Sequence, residues 1–388
     1  MDQTFQLLLA LIRYDLFQIP LPVSEFSNVS EEILEQLYQL SDKHDLAHLA
    51  GDALYKNDLL PKDSPAAAKF QKAQVLALYR YTRMEHERKQ IYTVFEKEGI
   101  PFVPLKGLVI RPLYPQPHLR TSCDLDILVH REDVTRASDV LVHQLNYRTD
   151  QTAQYHDISL FSPSDIHLEL HFSIQEDMPR LDQFLSQVWT YASPSVQDQW
   201  EFRLTPEFFM FHHIAHMAYH FVSGGCGIRP LADLYLLRQK ISFDETVLLQ
   251  MCETCGLKTF YERIIELNKV WFENFVHNET TYQLQSYLLY GGVYGSMEHS
   301  LTVKQQQHGG KGKYILHRIF MPYRYLKTKY PILDKHKWLF PIMTVRRWFS
   351  LLSPSRRKRV AYELKKSSSL SSEEQESTLN LLSDLDLL

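Results

Sequence analysis

Apolar residues recur at helical spacing through the first hundred positions. Ile33, Leu34, Leu37, Tyr38 and Leu40 mark one helix, with Ser30 as its N-cap and Glu31 and Glu32 in the first turn. A longer helix is predicted from Pro65 to Glu98, with Leu76, Leu78, Tyr79 and Tyr81 among its buried positions and Gly99 as its C-cap. The pattern then shortens. Pro101 to Leu105 reads as a brief apolar strand, followed by a helical stretch from Leu108 to Tyr114 that Pro115 and Pro117 break. Ile127 to Val129 is a second short strand, and Arg131 to Leu145 an amphipathic helix. Ile158 to Phe161 and Ile166 to Phe172 are strands again. In the last of these, Ile166, Leu168, Leu170 and Phe172 share one face, and His167, Glu169 and His171 the other.

From Thr205 the helical period returns. Thr205-Pro206-Glu207 combines a cap, a proline at the first position and a first-turn acid, and Gly224-Gly225 closes that helix. Further helices are predicted over Phe243–Cys255 and Lys258–Val276. The whole predicts an α+β chain with a small mixed-sheet core over residues 100–175. A helical region (1–99) precedes the core, and a helical domain (176–303) follows it. Residues 304–366 form a basic, aromatic-rich lobe, and 367–388 an acidic tail expected to be disordered, with Leu379–Leu388 the one stretch suited to docking.

Composition narrows the class. The chain has 388 residues and is 44 % hydrophobic, enough for a full core and too much for a disordered protein. No run approaches the roughly 18 apolar residues of a membrane span. Met1-Asp2-Gln3 lacks the basic start of a secretory signal, and four cysteines suit a reducing compartment, so a cytoplasmic location is expected. The net charge of −4 conceals an asymmetry: −14 over residues 1–303, +15 over 304–366 and −5 over 367–388. Such a basic block calls for an anionic partner, internal or external.

The sharpest chemical feature is Asp124-Leu125-Asp126 running into Ile127-Leu128-Val129. Residues two apart on a strand project to the same side, so both carboxylates share a face and suit a hard divalent cation such as Mg²⁺. Upstream, Lys106-Gly107 sits between a strand and a helix, where backbone N–H groups can receive phosphate. Lys106, Arg111 and Arg120 add positive charge, and Glu169 offers a third carboxylate from the polar face of its strand. Two other D-x-D chemistries are disfavoured. A metal-dependent glycosyltransferase places its apolar strand before the acids, whereas here Arg120-Thr121-Ser122-Cys123 precedes them. A haloacid-dehalogenase phosphatase wants the nucleophilic Asp after the strand.

Lys106-Gly107, Arg120, Asp124-x-Asp126 and Glu169-Leu170-His171-Phe172 together resemble the uncharacterised nucleotidyltransferase branch of the polymerase-β-like superfamily. The resemblance extends to His212, His216, Arg229 and Asp233 in the later helices. It departs from better-known members in carrying Lys106-Gly107 in place of Gly-Ser, and Glu169 where Asp is common. It implies transfer of an NMP from an NTP, ATP foremost, to a hydroxyl or phosphate, with release of pyrophosphate. Asp124, Asp126 and Glu169 would hold two Mg²⁺ ions, or Mn²⁺. Lys106, Gly107, Arg120 and Ser122 would contact the nucleotide, and His171, His212, His216, Arg229 and Asp233 would line an acceptor or nucleotide pocket. The acceptor, whether small molecule, tRNA or protein, is not legible.

Weaker signals have simpler readings beside the chemical ones. His212, His216 and His220 fall on one helical face as zinc ligands would, but polar packing or acceptor contacts explain them as well. Arg229 and Asp233, four apart, fit a helical ion pair equally well. Cys252-x-x-Cys255 has no second pair and reads as incidental. The aromatics and cations of 304–366 suit single-stranded nucleic acid, an anionic membrane, a polysaccharide, or the chain's own acidic body and triphosphate. An alternative function is therefore a catalytically idle nucleotide- or RNA-binding protein that uses this lobe.

Overall fold

The computed structural model describes residues 3–26, 29–149, 156–176, 178–197, 199–351, 357, 362–363, 366 and 371–388. Helices α1 (Gln3–Phe17), α2 (Val23–Phe26), α3 (Glu31–Lys43), α4 (Ala47–Lys56) and α5 (Pro65–Glu98) precede the sheet. Their starts follow local chemistry. The Ser30 hydroxyl accepts the Ile33 N–H at 3.3 Å, and Ser64 accepts the Ala67 N–H at 2.9 Å ahead of Pro65. Gly99, at φ +64°, closes α5 in the left-handed conformation. The burial expected along α5 differs, because Leu76, Leu78 and Tyr79 are 54, 50 and 58 % exposed. This part of the helix carries apolar residues on several sides, and the buried stripe falls on Ala77, Met84, Glu87, Ile91 and Phe95.

The sheet region contains β1 (Phe102–Pro104), α6 (Gly107–Ile110), β2 (Asp124–Val129), α7 (Val134–Leu145), β3 (Arg148–Thr149), β4 (Asp157–Phe161) and β5 (His167–His171). The sheet order is β1-β2-β5-β4-β3; β2 and β5 run parallel and the other neighbours antiparallel. Strand β2 starts at Asp124, three residues before the predicted Ile127, because pairing with β5 carries the ladder through the acids. One sheet face buries Leu125, Ile127, Val129, Leu168 and Leu170 against Ile91 and Phe95 of α5 and Ala137 and Leu141 of α7. The other is left for polar chemistry.

Next come α8 (Pro179–Leu185), the hairpin β6 (Ala192–Pro194) and β7 (Phe202–Leu204), then α9 (Pro206–Val222), α10 (Arg229–Lys240), α11 (Glu245–Thr254), α12 (Lys258–Glu273), α13 (Glu279–Gly291) and α14 (Met297–Gln307). They share one apolar core with α1, α3 and α4, which includes Phe5, Phe211, Phe221 and the fully buried Trp271. Gly224 permits a close crossing there, since a Cβ would lie 2.4 Å from the Ser296 carbonyl.

The C-terminal lobe holds α15 (Lys311–Ile319), α16 (Tyr323–Lys329), α17 (Ile332–Lys335) and α18 (Phe340–Leu351) around a small cluster of Leu326, Leu333 and Met343. Arg356, Lys358 and Arg359 of the basic run, and residues 367–370 of the tail, lie outside the described residues. The tail is not disordered over 371–388. Ser371 and Glu374 form a capping box that starts α19 (Ser372–Asp384), whose Leu381 and Leu382, with Leu385 and Leu387, join the main core. Its acidic first half hid an apolar second half. Leu382→Ala is expected to lower the unfolding free energy by about 2–5 kcal/mol, while Leu388→Ala, at a position 54 % exposed, changes it by less than about 0.5 kcal/mol; thermal or denaturant melts of the two variants check this.

Candidate active site

The parallel register of β2 and β5 assembles the acids. Asp126 stands opposite Glu169, Asp124 opposite His167, and Leu128 opposite His171. Side chains alternate along each strand, so Asp124, Asp126, His167, Glu169 and His171 all leave the sheet on its polar face. The turn before α6 reaches the same face. Lys106 occupies φ +43°, ψ −115°, a region sparsely visited by residues with a Cβ, and such outliers gather at functional sites. Its ammonium lies 2.8 Å from Asp126 Oδ1 and 4.0 Å from Glu169 Oε2. His171 Nε2 lies 3.0 Å from that Asp126 oxygen and 3.3 Å from Glu169 Oε2.

Electrostatics sorts the groups. Burial disfavours charge on each, yet Lys106 and His171 outweigh it at Asp126 and hold its carboxyl well below the usual range. Glu169 is lowered too, burial being overcome chiefly by its hydrogen bond with His171. The reciprocal effect at His171 overcomes burial and pushes the imidazole up to about 9. Asp124 has no such partner; burial, then repulsion from Asp126 and Glu169, pushes it up to about 7. The face carries more negative potential than its own cations cancel.

This donor set fits a divalent cation. Asp124, His167 and Glu169 form one group, and Asp126, Glu169 and His171 another, with ligand atoms within 4.8 Å of one another in each. The carboxylates suit Mg²⁺, and the imidazoles, once binding has displaced the second proton of His171, extend the range toward Mn²⁺. Asp157 of β4, opposite His171, adds a carboxylate that the sequence reading missed. It is 1 % exposed, its oxygens accept no hydrogen bond among the described residues, His156 Nε2 lies 3.4 Å from Oδ1, and burial raises its pKa. The period-2 run of Asp157 and Ser159 was the signal that could have found it.

Arg120 and Ser122, expected at the nucleotide, are engaged within the protein. The Arg120 guanidinium donates to Asp233 of α10, Nη2 to Oδ2 at 2.9 Å and Nε to the two oxygens at 3.3 and 3.2 Å, and Tyr114 donates to Asp233 Oδ1 at 2.7 Å. Both partners are buried. A Cβ on Gly107 would meet Arg120 Nη1 at 2.6 Å, so glycine here admits the guanidinium. The Ser122 hydroxyl accepts from Arg111 Nη2 at 2.6 Å and donates to the Asp124 carbonyl at 2.9 Å. The helical ion pair between Arg229 and Asp233 does not form. Asp233 serves Arg120, while Arg229 pairs with Asp45 and donates to the Thr121 carbonyl at 3.1 Å.

Helix α9 supplies a second polar group. His216 Nδ1 lies 2.6 Å from Glu176 Oε1, and His220 Nε2 lies 3.1 Å from His216 Nε2. Burial, then neighbouring imidazoles, pushes His212 and His220 down to about 3, and burial with Lys106 lowers His216 as well. Neutral rings make this a chain in which His220 donates to His216 and His216 donates to Glu176. Lys106 and His171 are among the charges acting on His212 and His216, so the helix lies within electrostatic reach of the carboxylates. Among the described residues, the three histidines of one face form no three-ligand group. Cys252 and Cys255 are buried thiols pushed up by that burial to about 12 and about 11, which leaves them unreactive.

Comparison with known proteins gives a family and a distant structural likeness. The family described as "Uncharacterised nucleotidyltransferase" matches residues 30–273. No curated protein matches the chain. The solution structure of the antibiotic-resistance factor ANT(2'')-Ia is similar at 10 % identity, covering 52 % of this chain and 92 % of that one with a TM-score of 0.24, too slight a likeness to argue from.

Two outcomes are expected. Asp233→Ala strands the buried Arg120 charge and destabilises the fold by about 3–5 kcal/mol, whereas Arg120→Met with Asp233→Leu recovers most of that loss; denaturant melts read both. The folded pKa values of His44 (about 4), His212 and His220 (about 3) lie below that of a free imidazole. At these three positions the unfolded chain therefore binds more protons below about pH 6.5, and the stability they contribute, complete above that pH, is lost as the pH drops toward about 3. His212→Asn should flatten this slope, read as thermal midpoint against pH.

Proposed function

The chain belongs to the uncharacterised nucleotidyltransferase family, and on that premise we propose a Mg²⁺-dependent enzyme that moves an NMP from an NTP, ATP foremost, to an acceptor hydroxyl or phosphate. The observation that carries the reading is the carboxylate face of β2 and β5, with Asp126 in register with Glu169 and Asp124 two residues before. Asp124, Asp126 and Glu169 would hold two divalent ions, with His171 bracing Asp126 and Glu169. Bound there, a divalent ion would neutralise charge on the α-phosphate and pyrophosphate and would lower the pKa of the acceptor hydroxyl.

The chain's own groups supply the rest. The acceptor oxygen forms a bond to the α-phosphorus as the bond to the bridging oxygen breaks, and pyrophosphate departs. Glu169 takes the hydroxyl proton. Lys106 and the Gly107 N–H would receive the β- and γ-phosphates at the start of α6. Arg120 is given a positioning role, since it packs on Gly107 and is held by Asp233. Ser122 likewise fixes the Asp124 backbone. His212 and His216, with Glu176, are assigned to the acceptor side. Transfer of this kind rests mainly on positioning and electrostatic stabilisation.

Incubation with each α-labelled NTP, a cell extract and Mg²⁺ should transfer label to one class of acceptor and release pyrophosphate. EDTA, Asp124→Ala and Asp126→Ala should each abolish both. Turnover retained by either variant would sink the assignment. NTP binding that ignores Mg²⁺, without transfer, would favour the idle binding protein.

A further inference from the structure

We propose that the C-terminal lobe is a docking surface for an anionic lipid bilayer. Helix α18 is built inside out. Its inward face carries Met343 and a buried arginine, Arg347, whose Nη1 and Nη2 donate to the carbonyls of Ile319 at 3.2 Å and Arg318 at 2.7 Å. Trp348 Nε1 donates to the Ile319 carbonyl at 2.8 Å and so ties the indole to the end of α15. The opposite face is apolar and faces solvent. Trp338, just before the helix, and Ile342, Val345 and Phe349 are spaced four, three and four apart, one stripe of a helix. They are 70, 53, 43 and 69 % exposed. A surface helix of a globular protein ordinarily does the reverse, burying its apolar stripe.

Charge identifies the occupant. Exposed Lys335, Lys337 and Arg346 flank the stripe, and residues 304–366 carry +15. The only two acids of that segment, Asp334 and Glu363, are taken by Lys327 and Arg318. A bilayer with anionic headgroups accepts both components at once, apolar side chains at the headgroup boundary and cations at its surface. Single-stranded nucleic acid would stack on Trp338 and Phe349, but Ile342 and Val345 present no π-face to a base. A second copy would bring two basic surfaces together. Among the described residues, no helix is long and apolar enough to cross a membrane, so the surface lies on the bilayer. This inference is independent of the catalytic reading.

The test uses the full chain with vesicles of phosphatidylcholine, with and without phosphatidylglycerol, at physiological salt. The protein should sediment with the anionic vesicles and only weakly with the neutral ones, and its tryptophan emission should shift to the blue on binding. Ile342→Ser with Phe349→Ser should reduce partitioning at least about tenfold, as should Arg346→Glu with Lys337→Glu, while far-ultraviolet circular dichroism stays unchanged. Absence of anionic-vesicle binding, or equal partitioning of the folded variants, would overturn the proposal. So would tighter binding of a single-stranded oligonucleotide than of the vesicles, or a wild-type dimer that Ile342→Ser with Phe349→Ser dissociates.

Discussion

A sheet face with Asp126 buried and Asp124 and Glu169 half-buried beside it cannot keep all three carboxylates ionised without cations beside them. The rest of the site answers that constraint. Lys106 is turned into a sparsely populated backbone conformation with its ammonium against Asp126. His171 divides its contacts between Asp126 and Glu169 and is charged as a result. Asp124 has neither as a hydrogen-bond partner, and burial, then repulsion from Asp126 and Glu169, raises its pKa to about 7. A divalent cation held there, as proposed above, would supply the positive charge that Lys106 and His171 leave lacking.

That arrangement depends on contacts made far along the chain. The loop from Arg111 to Ser122 carries no regular pairing into the sheet and is held by side chains. Arg120 reaches Asp233 on α10, Arg229 reaches the Thr121 carbonyl, and Arg111 holds Ser122, which in turn holds the Asp124 carbonyl. Buried ion pairs add little net stability compared with apolar replacements, but losing one partner is severe. A pair of that kind enforces geometry. Here it couples the helical half of the molecule to the strand that bears the acids, and Gly107 leaves the space for it.

Much of the core was legible because it rests on short-range patterns. The alternation of His167, Glu169 and His171 against Leu168 and Leu170 was readable as two faces, and both faces are as read. Caps at Ser30, Thr205 and Gly99 were also plain. The failures have physical causes. Leu76, Leu78 and Tyr79 satisfy a helical period yet stay half exposed, because periodicity reports a helix and not what packs on it. The tail reads as disordered by composition, although a capping box and four leucines fold it onto α13 and α14.

By itself the sequence determined the α+β class, the carboxylate strand, the strand-to-helix turn at Lys106-Gly107 and the resemblance that the family match bears out. Each depends on residues close together in the chain, where strand alternation and helix capping act. Only the tertiary structure decided partners. It paired Arg120 with Asp233 and Arg229 with Asp45, set Lys106 against Asp126, brought Asp157 to the site and turned the apolar stripe of α18 outward. Which charge meets which is fixed by distances between elements up to nearly two hundred residues apart in the chain, and a linear pattern holds no record of those distances.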